Sequence, residues 1–222
     1  LGGRSELLSR CKQIVRGGEP SEVIRQFSKP TGTDLLVLGT NGRKGLKRFV
    51  LGSVAEEIFR LVPWPVLTVG PKARKAAPDI QLRRVLFATD FAPDSLAALR
   101  CAIRIAHERQ AGLTLLSVAH SSKEKSAIEA RLLDLIPSTT APLPKIEARV
   151  RVGSPASAIL KTAETVSADL IILGVRGGGK WDRAATHVPG PVAYNVIAQA
   201  PCPVLTIRSQ DQSGPASDSQ SQ

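Results

Sequence analysis

Four residues in the first third of the chain have the types and spacing of a phosphate-binding loop. Gly39 and Gly42 are followed, after nine intervening residues, by Gly52 and Ser53. Glycine lets a backbone turn sharply and approach a ligand without interference from a Cβ atom. Gly52 and Ser53 begin a predicted helix, and the first N–H groups of a helix lack intrahelical partners and attract anions. The spacing therefore indicates a site for phosphate oxygens.

The side chains around these glycines fit the same chemistry, but they also fit a simpler role. Asn41 and Arg43 supply polar and cationic groups beside Gly42, and Ser53 supplies a hydroxyl donor. Ser53 and Glu56 also form an S-x-x-E capping box, which stabilises a helix start without any ligand. From these residues alone both interpretations stay open.

Unbroken apolar runs place this loop, and a second one like it, at the ends of buried strands. Residues 35–39 and 170–174 both end in glycine and have the pattern of strands that are covered on both faces of a parallel sheet. An amphipathic helix is predicted before each of them, near residues 20–28 and 155–167. Ligands of such sheets bind beyond the carboxyl ends of the strands, which is where the loop lies.

These segments belong to an internal repeat. VRGGEPSEVI from Val15 and VRVGSPASAI from Val150 begin an alignment with a constant offset of 135 residues, in which ten of 28 pairs are identical. After a three-residue insertion in the second copy, the segment from Gly52 aligns with the one from Gly190. A repeat of this length indicates two copies of one domain. We therefore predict an α/β fold of two tandem doubly wound parallel-sheet units, the first of them incomplete.

The two copies differ in what precedes the shared part. In the first, only a helix end near residues 6–10 and a strand near 13–15 are predicted, whereas the second has a full βαβαβαβ order. Its further predicted elements are strands at 84–88, 113–118 and 145–152 and helices at 95–110 and 128–135. We place the first unit at 1–70 (the first repeat), a linker at 71–82, the second unit at 83–208 (the second repeat) and a disordered tail at 209–222. Since Met is absent even at position 1, we expect the natural chain to be longer.

At the loop the sequence resembles the universal stress protein family. Its nucleotide-binding members carry Gly-x2-Gly-x9-Gly-Ser/Thr after the fourth strand, between the motifs aDLivlG and PVLtv, and the first repeat matches this pattern without a gap. The resemblance implies a Rossmann-like fold and a nucleotide-binding module, often dimeric, with a regulatory or stress-response role. It implies ATP, with Mg²⁺, or a related nucleotide as ligand. The nucleotide-binding residues implied in the first repeat are Gly39, Asn41, Gly42, Arg43, Gly52, Ser53 and Val54.

The second repeat resembles the family more weakly at its site. By resemblance, Asp90 contacts ribose or adenine and Val118 lies near the base, although Asp90 is equally suited to capping the turn into the next helix. The loop keeps three glycines, but the last interval is three residues longer and Pro191 replaces the serine, which removes both an N–H and a hydroxyl. The glycines implied as a weaker site here are Gly174, Gly177 and Gly190.

Composition excludes several other classes of function. The net charge of +11 is spread along the chain and aromatic residues make up only 4%, so we expect no nucleic-acid role. The three cysteines and three histidines lack the spacing of a metal site. No apolar run approaches the roughly 20 residues that span a bilayer, so we predict a cytoplasmic protein without a membrane partner.

Two functions remain. The first is a regulatory module that binds ATP or a related nucleotide. It is not predicted to be an enzyme, because no base and nucleophile can be paired by spacing, and slow ATP hydrolysis is left open. The alternative is a non-nucleotide-binding stress protein that acts in dimerisation or protein interaction. Its two PVLT segments, at 65–68 and 203–206, would pair the two repeats or two chains in a homodimer.

Overall fold

Helices pack on both faces of one seven-stranded sheet in the computed structural model of the protein. The structure describes residues 11–28, 32–40, 55, 57–58, 62–74, 81–136, 145–175 and 191–208. The strands are β1 (Leu36–Gly39), β2 (Val66–Val69), β3 (Arg84–Ala88), β4 (Gly112–Ala119), β5 (Ile146–Val152), β6 (Leu170–Val175) and β7 (Val204–Arg208). The helices are α1 (Pro20–Ser28), α2 (Pro93–Arg109), α3 (Lys125–Leu133), α4 (Pro155–Thr165) and α5 (Pro191–Gln199).

The strand order is β1-β2-β7-β6-β3-β4-β5, and five of its six neighbouring pairs are parallel. The chain runs from β3 outward through β4 to β5 and then returns to place β6 on the other side of β3. This reversal makes the boundary between β3 and β6 the topological switch point, where open α/β sheets bind their ligands. The predicted α/β fold with a doubly wound sheet is confirmed.

Two apolar cores lie on opposite faces of the sheet. One is formed by Leu86, Ile171 and their neighbours under α1, α4 and α5, and the other by Phe87, Ile172 and their neighbours under α2 and α3. Alternate residues of β3 and β6 are fully buried on both sides, as their unbroken apolar sequences require. The second repeat is therefore a three-layer sandwich whose central strands are fixed from both faces.

The PVLT segments of the two repeats pair with each other. β2 and β7 are antiparallel, with Leu67 opposite Leu205 at the centre and Val66 opposite Thr206. Identical segments that pair antiparallel about a central residue are related by an approximate twofold axis. The pair joins the strands of the first repeat to the edge of the second, so this junction lies inside one continuous sheet.

The predicted strand near residues 13–15 is wrong. Residues 11–17 lie in no strand or helix, and the side chain of Val15 is 95% exposed. The equivalent residues 148–150 of the second repeat form part of β5 because β4 lies beside them. The described part of the first repeat offers no such neighbour, and a strand without a hydrogen-bonded partner is not stable in water.

Other predicted segments fall outside the described residues. These are the helix end near 6–10, half of the linker (75–80) and the tail after 208. The domain boundaries therefore stay predictions. In the described part of the chain, no helix combines the length and apolar character needed to cross a bilayer.

Candidate functional site

Three neighbouring strands bring the sequence candidates of the second repeat to one edge of the sheet. Ala88 of β3 lies opposite Leu116 of β4 on one side and Leu173 of β6 on the other. Asp90 follows two residues after Ala88, while Val118 and Gly174 lie at the carboxyl ends of β4 and β6. The structure thus groups Asp90, Val118 and Gly174 around the switch point.

Asp90 leads from β3 into α2 through a tight turn. Its Oδ1 accepts a hydrogen bond of 3.0 Å from the Ala92 N–H, and its side chain is exposed. Among the described residues Oδ2 has no hydrogen-bond partner. Asp90 therefore stabilises the turn, as the capping interpretation predicts, and still presents one carboxylate oxygen to a ligand hydroxyl.

The buried hydroxyls of Thr89 and Ser95 stabilise the same turn through hydrogen bonds. The Ser95 hydroxyl donates to the Ala92 carbonyl at 2.9 Å and lies 2.8 Å from the hydroxyl of Thr89. Because the Ser95 proton is used in the first bond, Thr89 donates in the second, and Thr89 Oγ1 then accepts the Phe91 N–H at 2.9 Å. Every donor of this group is satisfied, which keeps the turn in one conformation.

Position 174 requires glycine because its backbone packs directly against α2. A Cβ at this position would lie 2.3 Å from Ser95 Cα and 2.4 Å from the Asp94 carbonyl oxygen. The first turn of α2 therefore rests directly on the backbone of β6. This close approach sets the position of the Asp90 turn over the switch point.

The equivalent strand end of the first repeat, at Gly39, is not packed against a described helix in the way that Gly174 is. Among the described residues, no atom lies within 4 Å of a Cβ built on Gly39, which is 135 residues before Gly174. Beyond it the Thr40 N–H donates to the Val69 carbonyl at 3.2 Å, so β1 and β2 still pair at the point where the loop begins. Ala55, Glu57 and Ile58 are helical, and a helix therefore follows the loop as predicted.

Most of the predicted loop residues lie outside the described part of the chain. They are Asn41, Gly42, Arg43, Gly52, Ser53 and Val54 in the first repeat and Gly177 and Gly190 in the second. Their nucleotide contacts stay predictions. Within the described ranges, His, Cys, Asp and Glu side chains form no group of three that could hold a metal ion.

Comparison with known proteins identifies the family. The model of the universal stress protein family matches residues 7–70 and 81–208, which is most of the chain. The chain belongs to the universal stress protein family. The two matched segments correspond to the two copies of the internal repeat.

Relatives and solved structures agree with this family and fold. A universal stress protein of Methanocaldococcus jannaschii is 44% identical over 52 residues, which cover 23% of this chain and 31% of that protein. A putative universal stress protein of Staphylococcus aureus is 28% identical over 148 residues, covering 60% and 87%. The crystal structure of a universal stress protein from Archaeoglobus fulgidus has a TM-score of 0.73 at 22% identity, covering 94% of this chain and 75% of that one.

These matches are partial for several relatives. The alignments span between 31% and 46% of the length of four curated universal stress proteins. What a whole protein of this family binds or regulates therefore enters below as a proposal.

Sequence reasoning missed part of this universal stress protein's site. It did not single out Thr89, Ser95, Phe91 or Arg131, although the first three build the Asp90 turn and Arg131 contacts it from α3. The short hydroxyl side chains either side of Asp90 were a readable sign of a capped turn. Nothing in the sequence indicated that Arg131, 41 residues after Asp90, would reach Phe91.

Proposed function

We propose that this universal stress protein binds ATP or a related nucleotide as a regulatory module, with the phosphates on the loop from Gly39 to Ser53. The observation that carries the proposal is the order of strand, loop and helix in the first repeat. β1 ends at Gly39, on the opposite edge of the sheet from Asp90 because β2 and β7 are antiparallel, and a helix follows the loop by Ala55. No described atom lies within 4 Å of a Cβ built on Gly39, which suits the close approach of a phosphate to the backbone.

At the opposite edge of the sheet, the second repeat has groups suited to the nucleoside part of a separately bound nucleotide. A carboxylate oxygen can accept a hydrogen bond from a ribose hydroxyl, and Oδ2 of Asp90 has no partner among the described residues. Val118, at the carboxyl end of the neighbouring strand β4, is an apolar residue suited to a base. We propose Asp90, Val118, Gly174, Gly177 and Gly190 as a second, weaker site. No catalytic role is proposed, and Mg²⁺ would arrive with the triphosphate.

Substitution of Gly52 tests the phosphate loop. We expect fluorescently labelled ATP to bind the unaltered protein saturably and the Gly52→Val protein at least tenfold more weakly, because a branched side chain fills the space of a phosphate oxygen. Gly17→Val is the matched control. Gly17 lies outside the loop and has no atom within 4 Å of a Cβ, so its substitution should leave the affinity unchanged.

Two results would contradict the proposal. One is the absence of saturable binding by the unaltered protein over the concentrations at which nucleotides occur in cells. The other is equal affinity in the Gly52→Val and Gly17→Val proteins. Asp90→Ala, measured in parallel, separates the contribution of the second repeat from that of the loop.

An exposed apolar surface favours protein interaction as a second candidate function. Leu35, Val37 and Val69 are 44%, 57% and 40% exposed on one face of β1 and β2. The equivalent residues Leu170 and Ile172 of the second repeat are buried beneath α2. Exposed apolar groups on neighbouring strands are typical of an interaction surface, here between two copies of the chain.

Light scattering tests this surface as the contact of a homodimer. We expect the mass to rise towards that of a dimer with concentration, and Val37→Glu to hold the chain monomeric because the contact would bury a carboxylate. Val152→Glu is the control, since Val152 of β5 is 48% exposed at the far edge of the sheet. A mass that is independent of concentration, or equally affected by both substitutions, would rule out this contact.

A further inference from the structure

The turn that carries Asp90 contains an unusual backbone conformation. Phe91 has a φ of 62°, in the left-handed region that bulky L residues rarely adopt. Glycine enters this region freely, so the turn itself does not require an aromatic residue. A strained residue at a ligand-binding edge persists only where its surroundings determine its conformation, and it points to a role at the site.

Phe91 packs against the apolar core under α2 and α3, and two further contacts hold it in this conformation. Its N–H donates to Thr89 Oγ1, a hydroxyl that is itself buried and bonded to Ser95. The guanidinium of Arg131 lies over its ring, with Cζ 4.1 Å from the ring centroid. The distance is well inside the roughly 6 Å within which a cation is attracted to an aromatic face. Phe91 is therefore held at its backbone by β3 and at its ring by α3.

The conformation of Phe91 determines where Asp90 points. Asp90 and Ala92 flank Phe91, and the hydrogen bond from the Ala92 N–H to Asp90 Oδ1 closes across it. A different φ at Phe91 would move Ala92 and break that bond. The direction of the unpaired Asp90 Oδ2 thus depends on the ring contact with Arg131.

We propose that Phe91 and Arg131 are positioning residues for Asp90, and that together they fix its unpaired carboxylate oxygen for a ribose hydroxyl. The inference rests on the proposed nucleotide binding and adds to it the means by which the second repeat recognises ribose. Neither residue needs to touch the nucleotide. Their effect is on the ratio of the affinities for ribose and deoxyribose nucleotides. A general loss of structure would instead weaken the binding of both.

The test compares nucleotides that differ by one hydroxyl. Affinities for ATP, 2′-deoxy-ATP and 3′-deoxy-ATP are measured in a Gly52→Val background, which removes the phosphate loop of the first repeat. We expect ATP to bind about tenfold more tightly than one of the deoxy forms, as is typical of a hydrogen bond to a charged acceptor, and Asp90→Ala to abolish this preference.

Substitutions of Phe91 and Arg131 then separate a positioning role from an effect on folding. We expect Phe91→Gly, which permits the same backbone conformation but removes the ring that holds it, and Arg131→Gln to reduce the preference at least threefold, and Arg131→Lys to retain most of it. Arg109→Gln, at the exposed end of α2, removes the same charge elsewhere and should not alter the preference. Urea unfolding of each protein verifies that it is folded.

The outcomes distinguish this inference from the proposal beneath it. If the protein without any substitution does not bind ATP, the proposed function itself fails and the inference with it. If it binds but the Gly52→Val background shows no preference, or Phe91→Gly and Arg131→Gln keep the full preference, the positioning role alone is overturned. An equal loss with Arg109→Gln would assign the effect to net charge and also overturn it.

Discussion

Replacing Gly174 by alanine is expected to lower the free energy of unfolding by about 3 kcal/mol, the upper end of the usual cost of overpacking. The added Cβ would lie 2.3 Å from Ser95 Cα and 2.6 Å from Ser95 N, and these are backbone atoms that cannot rotate away. α2 would have to move off β6. Since the Asp90 turn leads into α2, ligand binding at the switch point should weaken as well.

The equivalent glycine of the first repeat provides the matched control. Gly39→Ala places its Cβ where no atom of the described residues lies within 4 Å, and its φ is not in the left-handed region. We expect its free energy of unfolding to change by less than about 1 kcal/mol, since alanine at an unstrained position also restricts the unfolded chain. Urea denaturation of the two proteins measures the difference. Equal destabilisation would show that the close approach of α2 to β6 is not the cause.

The junction between the repeats gives the second large effect. The Pro65 and Val69 carbonyls accept hydrogen bonds from β1, so by alternation the backbone groups of Thr68 face β7. Thr68→Pro removes the Thr68 N–H that faces β7. The carbonyl group on β7 that accepts from it is then left without a partner in a buried position. We expect a loss of at least about 2 kcal/mol, greatest for the strands of the first repeat.

A different substitution of Thr68 should raise the free energy of unfolding instead of lowering it. Thr68 is fully buried, and among the described residues its hydroxyl has no hydrogen-bond partner. Thr68→Val keeps the shape and removes the unpaired hydroxyl, so we expect stabilisation of about 1 kcal/mol. Hydrogen exchange of β1 and β2 would show faster exchange in Thr68→Pro only. If both substitutions destabilise the protein equally, the pairing of the PVLT segments is not what joins the repeats.

Much of the fold could be predicted because local sequence determines it. The strand at 84–88 and the helix at 20–28 have the predicted bounds, since each is an apolar pattern ended by turn residues. The helix predicted at 128–135 instead occupies Lys125–Leu133, because helix ends depend on capping contacts that periodicity does not report. The strand at 13–15 failed because a strand needs a neighbour, which a local pattern does not supply.

The site was predictable in chemistry and not in geometry. The residue types identified Asp90 and Gly174, but they left open whether each serves a ligand or the fold. The structure shows that Gly174 packs against α2. It places Asp90 in the turn, with one carboxylate oxygen that has no partner among the described residues. The left-handed conformation of Phe91 and its contact with Arg131 depend on how α3 packs, which no local pattern encodes.

Hydrogen exchange with and without ATP tests nucleotide binding most directly, because it reports both the event and its location. We expect saturating ATP to slow exchange in peptides that contain residues 39–58, and more weakly in those that contain residues 88–92, with no change in β5 at the far edge of the sheet. Unchanged exchange in both loops at saturating ATP would contradict the account.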